Sequence, residues 1–261
     1  MTDTPLDSAH RAMETAPDDV SARMRYFERL ADSELFILLK QEPEGDTISP
    51  ETFDLSDGTF ILVFDTEDRL GSFVGKPAPY AALSGRLIAG MLQGQGIGMA
   101  VNPDIAPSSN IIDPQAVSWL ADTVAAAPET AEATPDSFLP PTAPKALVEG
   151  LAAKLATASG LARSAYLVGV SYDTGAKGHL LGVVDAIAGS EGAIAKAVNE
   201  ALTFSGLEAA ALDVTFLAAS DPASAAMARV GLRFDIPQPK PVQDYTPKAP
   251  GMDPNDPPKL V

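Results

Sequence analysis

Ala125-Ala-Ala-Pro-Glu-Thr-Ala-Glu-Ala-Thr-Pro-Asp-Ser-Phe-Leu-Pro-Pro-Thr-Ala-Pro144 mixes five prolines with small and acidic residues and sustains no apolar period. Such a composition reads as a linker. It divides a chain of 261 residues into two stretches, each with its own helix and strand signals and each long enough to bury a core. The expected organisation is a mobile leader over residues 1–19, a first domain over 20–124, the linker over 125–144, a second domain over 145–236 and a proline-rich tail over 237–261. Phe138 and Leu139, adjacent apolar residues among prolines, are the place where the linker would be pinned to a domain surface.

Outside the linker, periodicity supplies the elements. Val20, Met24, Phe27 and Ala31 fall on one helical face. Leu35 to Leu39 is a short apolar run, read as a buried strand. In Thr59-Phe-Ile-Leu-Val-Phe64 both alternating faces are apolar, which marks a central strand covered on both sides. Asp65 and Thr66 follow as caps for a short helix, Glu67 to Phe73. A longer helix is expected after Pro79 from Tyr80, Leu83, Leu87, Ile88 and Met91, then a strand at Gly98 to Asn102 and a helix opened by Asp113-Pro114. The second stretch reads as a helix through Leu147, Leu151 and Leu155, a hairpin of Ser164–Tyr172 with His179–Asp185, and a helix from about Glu191 to Phe204. A strand at Leu212–Phe216, a helix opened by Asp221-Pro222 and an edge strand at Leu232–Phe234 complete it. The fold class is α+β: two α/β-type domains, each a small mixed or antiparallel sheet packed with helices.

The formal net charge is −17, and it is uneven: residues 1–144 carry 23 acids and 8 bases, residues 145–261 carry 12 and 10. An acidic first half repels nucleic acid and anionic membranes, and it reads either as a surface that keeps the protein in solution or as a face that steers a basic protein partner. No cysteine is present, so disulfides, thiolate metal sites and cysteine nucleophiles are excluded. The first twenty residues lack an apolar core and read as no secretory signal, and no apolar run reaches the ~20 residues a bilayer requires. A cytoplasmic protein is expected.

The run Phe60-Ile-Leu-Val-Phe-Asp-Thr-Glu-Asp-Arg-Leu-Gly-Ser-Phe73, with Gly96-Ile-Gly-Met-Ala-Val-Asn-Pro103, resembles the N-terminal domain of SseB-type bacterial proteins. Tyr166-Leu-Val-Gly-Val-Ser-Tyr-Asp173 followed by Gly178-His-Leu-Leu181 is similar to the C-terminal SseB domain. The resemblance spans about residues 20 to 236. It implies a family named for a serine-sensitivity phenotype, with no assigned activity and no catalytic residues to carry over. The alanine-rich second domain, the long linker and the proline tail depart from it.

Chemical motifs are sparse. Gly94-Gln-Gly-Ile-Gly98 follows a helix and precedes a strand, the reverse of a phosphate-binding loop, so it reads as a helix stop. Only His10 and His179 exist; base catalysis by histidine would have to use His179, which beside a glycine turn reads first as a partly exposed packing residue. Asp65, Glu67 and Asp68 belong to the densest acidic group, but their spacing matches no cation loop. Trp119 is read as a core residue or an interface residue. No cofactor and no metal are called for. The residues singled out for contacts are therefore Asp65, Glu67, Asp68, Trp119 and His179. The functional expectation is a non-enzymatic protein acting through protein contacts in regulation or stress physiology; the alternative is a sensor that binds an amino-acid-like small molecule between the two domains.

Overall fold

The computed structural model describes residues 3–43, 45, 47–56, 58–127, 133–206 and 212–239. The architecture is α+β, with eight helices and two mixed sheets among the described residues. The first half runs α1 (Pro5–Thr15), α2 (Val20–Asp32), β1 (Glu34–Leu38), β2 (Thr52–Leu55), β3 (Gly58–Phe64), α3 (Glu67–Val74), β4 (Tyr80–Ser84), α4 (Gly85–Leu92), β5 (Ile97–Val101), β6 (Asn110–Ile112) and α5 (Pro114–Ala125). The second half runs β7 (Pro135–Leu139), α6 (Lys145–Thr157), β8 (Ser164–Tyr172), β9 (Lys177–Val184), α7 (Glu191–Phe204), β10 (Leu212–Leu217), α8 (Pro222–Val230) and β11 (Leu232–Asp235).

Sheet 1 has the order β4-β1-β3-β5-β6, with β2 also pairing β3; sheet 2 has the order β10-β9-β8-β11, with β7 also pairing β8. The halves share one pairing scheme. A helix leads into a strand that pairs antiparallel with the next, and that second strand pairs parallel with a third across a helix: α2-β1-β3-α4-β5 and α6-β8-β9-α7-β10.

As its two apolar faces require, β3 is covered on both sides. Ile61 and Val63 face α2, α4 and α5 within one core, while Phe60, Leu62 and Phe64 face α3 in another. Sheet 2 repeats the plan, with Leu181 and Val183 under α6 and α7, and Val168, Val170 and Leu180 under Met227 of α8. The inner helices of the two halves then pack on each other, α7 against α2 and α5. Phe204 of α7 is fully buried in the core of the first half.

Four expectations need correction. The leader holds α1, whose Leu6 and Asp7 are buried. Thr4 and Asp7 form a reciprocal capping box and Pro5 takes the first helical turn, which stabilises a helix with few apolar residues. The helix expected from Tyr80 begins only at Gly85: Tyr80–Ser84 is an edge strand against β1, and Ser84 caps α4. The linker is not structureless throughout. α5 extends through Ala125, and Pro135–Leu139 is β7, in which Phe138 pairs with Val170 and Leu139 with Gly169. Asp65 does not cap α3; Thr66 alone does so, through its side-chain oxygen and the Arg69 amide, and Asp65 turns to the Arg69 guanidinium. Residues 128–132 of the linker, and the proline-rich tail from residue 240 on, lie outside the described residues.

Candidate functional site

The parallel strands β3 and β5 end side by side at Asp65 and Asn102, and a buried polar network fills the space beyond them. Arg69, 1% exposed, reaches back from α3 and donates to Asp65 Oδ1 at 2.7 Å and to Asp7 Oδ1 at 3.0 Å, with a second guanidinium contact to Asp7 Oδ2. Ser108 Oγ donates to the same Asp7 oxygen at 2.6 Å, and Asn102 Nδ2 donates to Ser108 Oγ at 2.8 Å. Thr4 Oγ1 donates to Asp65 Oδ2 at 2.6 Å. Burial on its own would raise the Asp7 pKa, but the bonds from Arg69, Ser108 and the Thr4 amide outweigh it and hold the carboxyl well below the usual range. Two buried carboxylates around one guanidinium bind α1 to the end of sheet 1. Asp65, one of the residues singled out, is thereby committed to structure.

Glu67 and Asp68 point elsewhere. They are exposed on the first turn of α3, where negative charge complements the unpaired amides. The Glu67 carboxylate lies against the Tyr80 hydroxyl and pushes that phenol above its ordinary pKa. Tyr80 stacks at 5.6 Å on Phe36, and Phe73 at 5.2 Å on Phe64. Phe53 sits opposite Phe60 in the β2–β3 register, so it shares that face of the sheet, and Leu55 follows two residues on. The eight residues of α3 are too short to cover a sheet of this width. Phe53, Leu55, Phe73 and Tyr80 remain more than a third exposed around it.

The other two candidates lie apart from this face. Trp119 is at the joint between the halves, with its ring 5.3 Å from Phe27 and 6.2 Å from Phe204. It is an interface residue, and its role follows from Phe204, which helical periodicity alone does not aim at the other half. His179 stands in β9 between Gly169 and Leu212, its Nε2 buried and without a hydrogen-bond partner among the described residues. The five candidates thus divide among separate places: Asp65 in the network, Glu67 and Asp68 on the outer face, Trp119 at the joint, His179 in sheet 2.

A second charged group lies where the halves meet. Lys154 of α6 donates to Asp32 of α2 at 2.6 Å and to Glu200 of α7 at 2.9 Å. Arg86 of α4 donates to Glu200 at 3.0 Å and also contacts Asp32. Lys154 and Glu200 are buried, and each keeps a further partner, Asp32 for Lys154 and Arg86 for Glu200, so the group holds together as a network rather than as one pair. Among the described residues no group of three His, Asp or Glu converges as a metal-ligand set, and no helix is long and apolar enough to cross a membrane. Comparison with protein-family models, curated proteins and solved structures returned no match.

Proposed function

We propose that the chain is a non-enzymatic, cytoplasmic, two-domain protein of the SseB type that holds a partner protein, with a basic segment of that partner seated on the outer face of sheet 1. The observation that supports this reading is the exposure of Phe53, Leu55, Phe73 and Tyr80 on one sheet face beside the acids Glu67 and Asp68. Covering an exposed aromatic or leucine side chain contributes roughly 1.5–3 kcal/mol. Acidic neighbours steer a basic segment toward the face, and its lysine or arginine heads can lie over the Tyr80 and Phe53 rings. The charge surplus of the first half acts in the same direction over longer range.

The test is a pull-down with the intact chain, followed by a titration of the captured partner at increasing salt. Capture is expected to weaken as salt rises and to fall about tenfold or more in the Phe53→Ser, Tyr80→Ser double variant. A partner captured equally by the double variant would remove the outer face from consideration.

A further inference from the structure

A pocket of about 190 Å³ lies between α8 and sheet 2, where β8 begins. Ser164 and Tyr166 of β8 share the sheet face of Val168 and Val170, and Arg233 of β11 stands opposite Tyr166 in the register. Ser224 and Ala228 of α8 form another wall, and Arg163, next to Ser164, also lines the space. In a chain of net charge −17, this lining holds two arginines and no carboxylate, whereas three larger clefts of the same chain carry acids in theirs. Ser164 is 4% exposed, and its hydroxyl forms no hydrogen bond among the described residues. Glu28 Oε1 and His179 Nε2 also lack a bonded partner but are sealed from solvent; the Ser164 hydroxyl stays open, on the pocket side of β8. A hydroxyl so deeply set and left without a partner marks a place where something outside the chain bonds. The Tyr166 hydroxyl beside it is unbonded among the described residues as well, while that of Ser224 is taken by the Ala218 carbonyl. Arg163 has Asp185 only at 3.8 Å, too far for a hydrogen bond, so its guanidinium keeps its donors. Arg233 gives Nε and Nη2 to Asp235, at 2.9 and 2.6 Å, and keeps Nη1. The acids of the adjoining segments have partners of their own: Asp185 accepts from the Ala219 amide and Asp221 from the Ala223 amide.

We propose that this pocket binds a phosphate group, as the free ion or as the end of a small phosphomonoester, through the Arg163 and Arg233 guanidiniums and the Ser164 and Tyr166 hydroxyls. All four groups can donate, and a phosphate dianion offers acceptors to each of them. Guanidinium forks match phosphate oxygens in shape as well as in charge. A carboxylate, with two oxygens on one side, would leave some of the four donors unmet, whereas a tetrahedral group presents oxygens to β8, β11 and Arg163 together. The volume is below the ~300 Å³ at which pockets for drug-sized ligands begin, so the phosphate enters alone or with its ester group left outside. This pocket is on sheet 2 and the partner face on sheet 1, so either can fail without the other.

The experiment is calorimetric titration of the intact chain with inorganic phosphate, with glycerol 3-phosphate and with acetate, all at one ionic strength. Phosphate is expected to bind with a dissociation constant at or below about 1 mM, and acetate about tenfold or more weakly than that. Glycerol 3-phosphate bound as tightly as phosphate assigns the pocket to a monoester; glycerol 3-phosphate bound more weakly assigns it to the free ion. Ser164→Ala removes a hydroxyl that bonds nothing in the chain, and Arg163→Gln changes a side chain that is 69% exposed, so both variants fold. Each is expected to lose about tenfold in phosphate affinity. Neither heat nor a change in the phosphorus resonance at about 10 mM phosphate, acetate bound as tightly as phosphate, or unaltered phosphate affinity in both variants would each overturn the proposal.

Discussion

Arg69 and Glu28 are the two residues at which burial and charge meet with opposite results. Arg69 satisfies Asp7 and Asp65 together, so Asp7→Ala leaves part of a buried guanidinium unpaired and is expected to cost about 3 kcal/mol in urea unfolding. The pH dependence has a defined sign. Asp7 titrates below its ordinary value of 3.8 in the folded chain, so the stability it lends is complete above that value and is lost as pH falls toward the lowered one. Glu28 is raised from 4.5, so its ionisation weakens the fold as pH rises from 4.5 through the raised value. Unfolding midpoints measured from about pH 1.5 to about pH 7 should therefore fall less steeply below pH 3.8 in Asp7→Asn than in the parent and gain at the upper end in Glu28→Gln; the same profile in both variants and the parent would contradict this assignment. Neither residue was legible from sequence. Asp7 and Arg69 stand 62 positions apart, and a carboxylate in a polar leader gives no sign of a guanidinium waiting across the fold.

At the level of elements, legibility tracked the strength of the apolar pattern. β3, α5, the β8–β9 hairpin and α7 were readable because their buried faces are continuous runs or clean periods. β4 was not, because Tyr80 and Leu83 happen to fall in step with Leu87, Ile88 and Met91 across a strand-to-helix junction. The informative signal there is Ser84-Gly85, a cap followed by a residue with no room for a side chain: a Cβ on Gly85 would lie 2.0 Å from the Leu30 carbonyl oxygen. Gly85→Ala is expected to push α4 off α2 and lower stability by about 2 kcal/mol or more, read as a drop in the melting temperature. α1 carried its own short signature in Thr4-Pro-Leu-Asp7, which a search for apolar periods passes over. The exposed aromatic face was equally hidden, since Phe53 and Tyr80 come from strands that the sequence did not announce.

For the molecule as a whole, the decisive contact is Phe204, a second-half residue buried in the first-half core beside Trp119. With Lys154, Arg86 and Glu200 closing the same joint, the halves should unfold in one calorimetric transition. Phe204→Ala is expected to cost about 3–5 kcal/mol and to separate that transition into two; a single sharp transition in the variant would show that the joint rests on the charges instead. The two sheets with their helices were readable, but the packing of one half on the other was not, because it depends on which helix faces are left over once each sheet is covered. A last consequence concerns where the chain can be divided. Because β7 belongs to sheet 2, a fragment starting at residue 145 would bare the backbone amides and carbonyls of Gly169 to Tyr172 as a sticky rim. One starting at residue 133 would keep that rim sealed. The border between the halves therefore falls before β7, and what joins them in sequence is also the hem that keeps the second sheet from recruiting copies of itself.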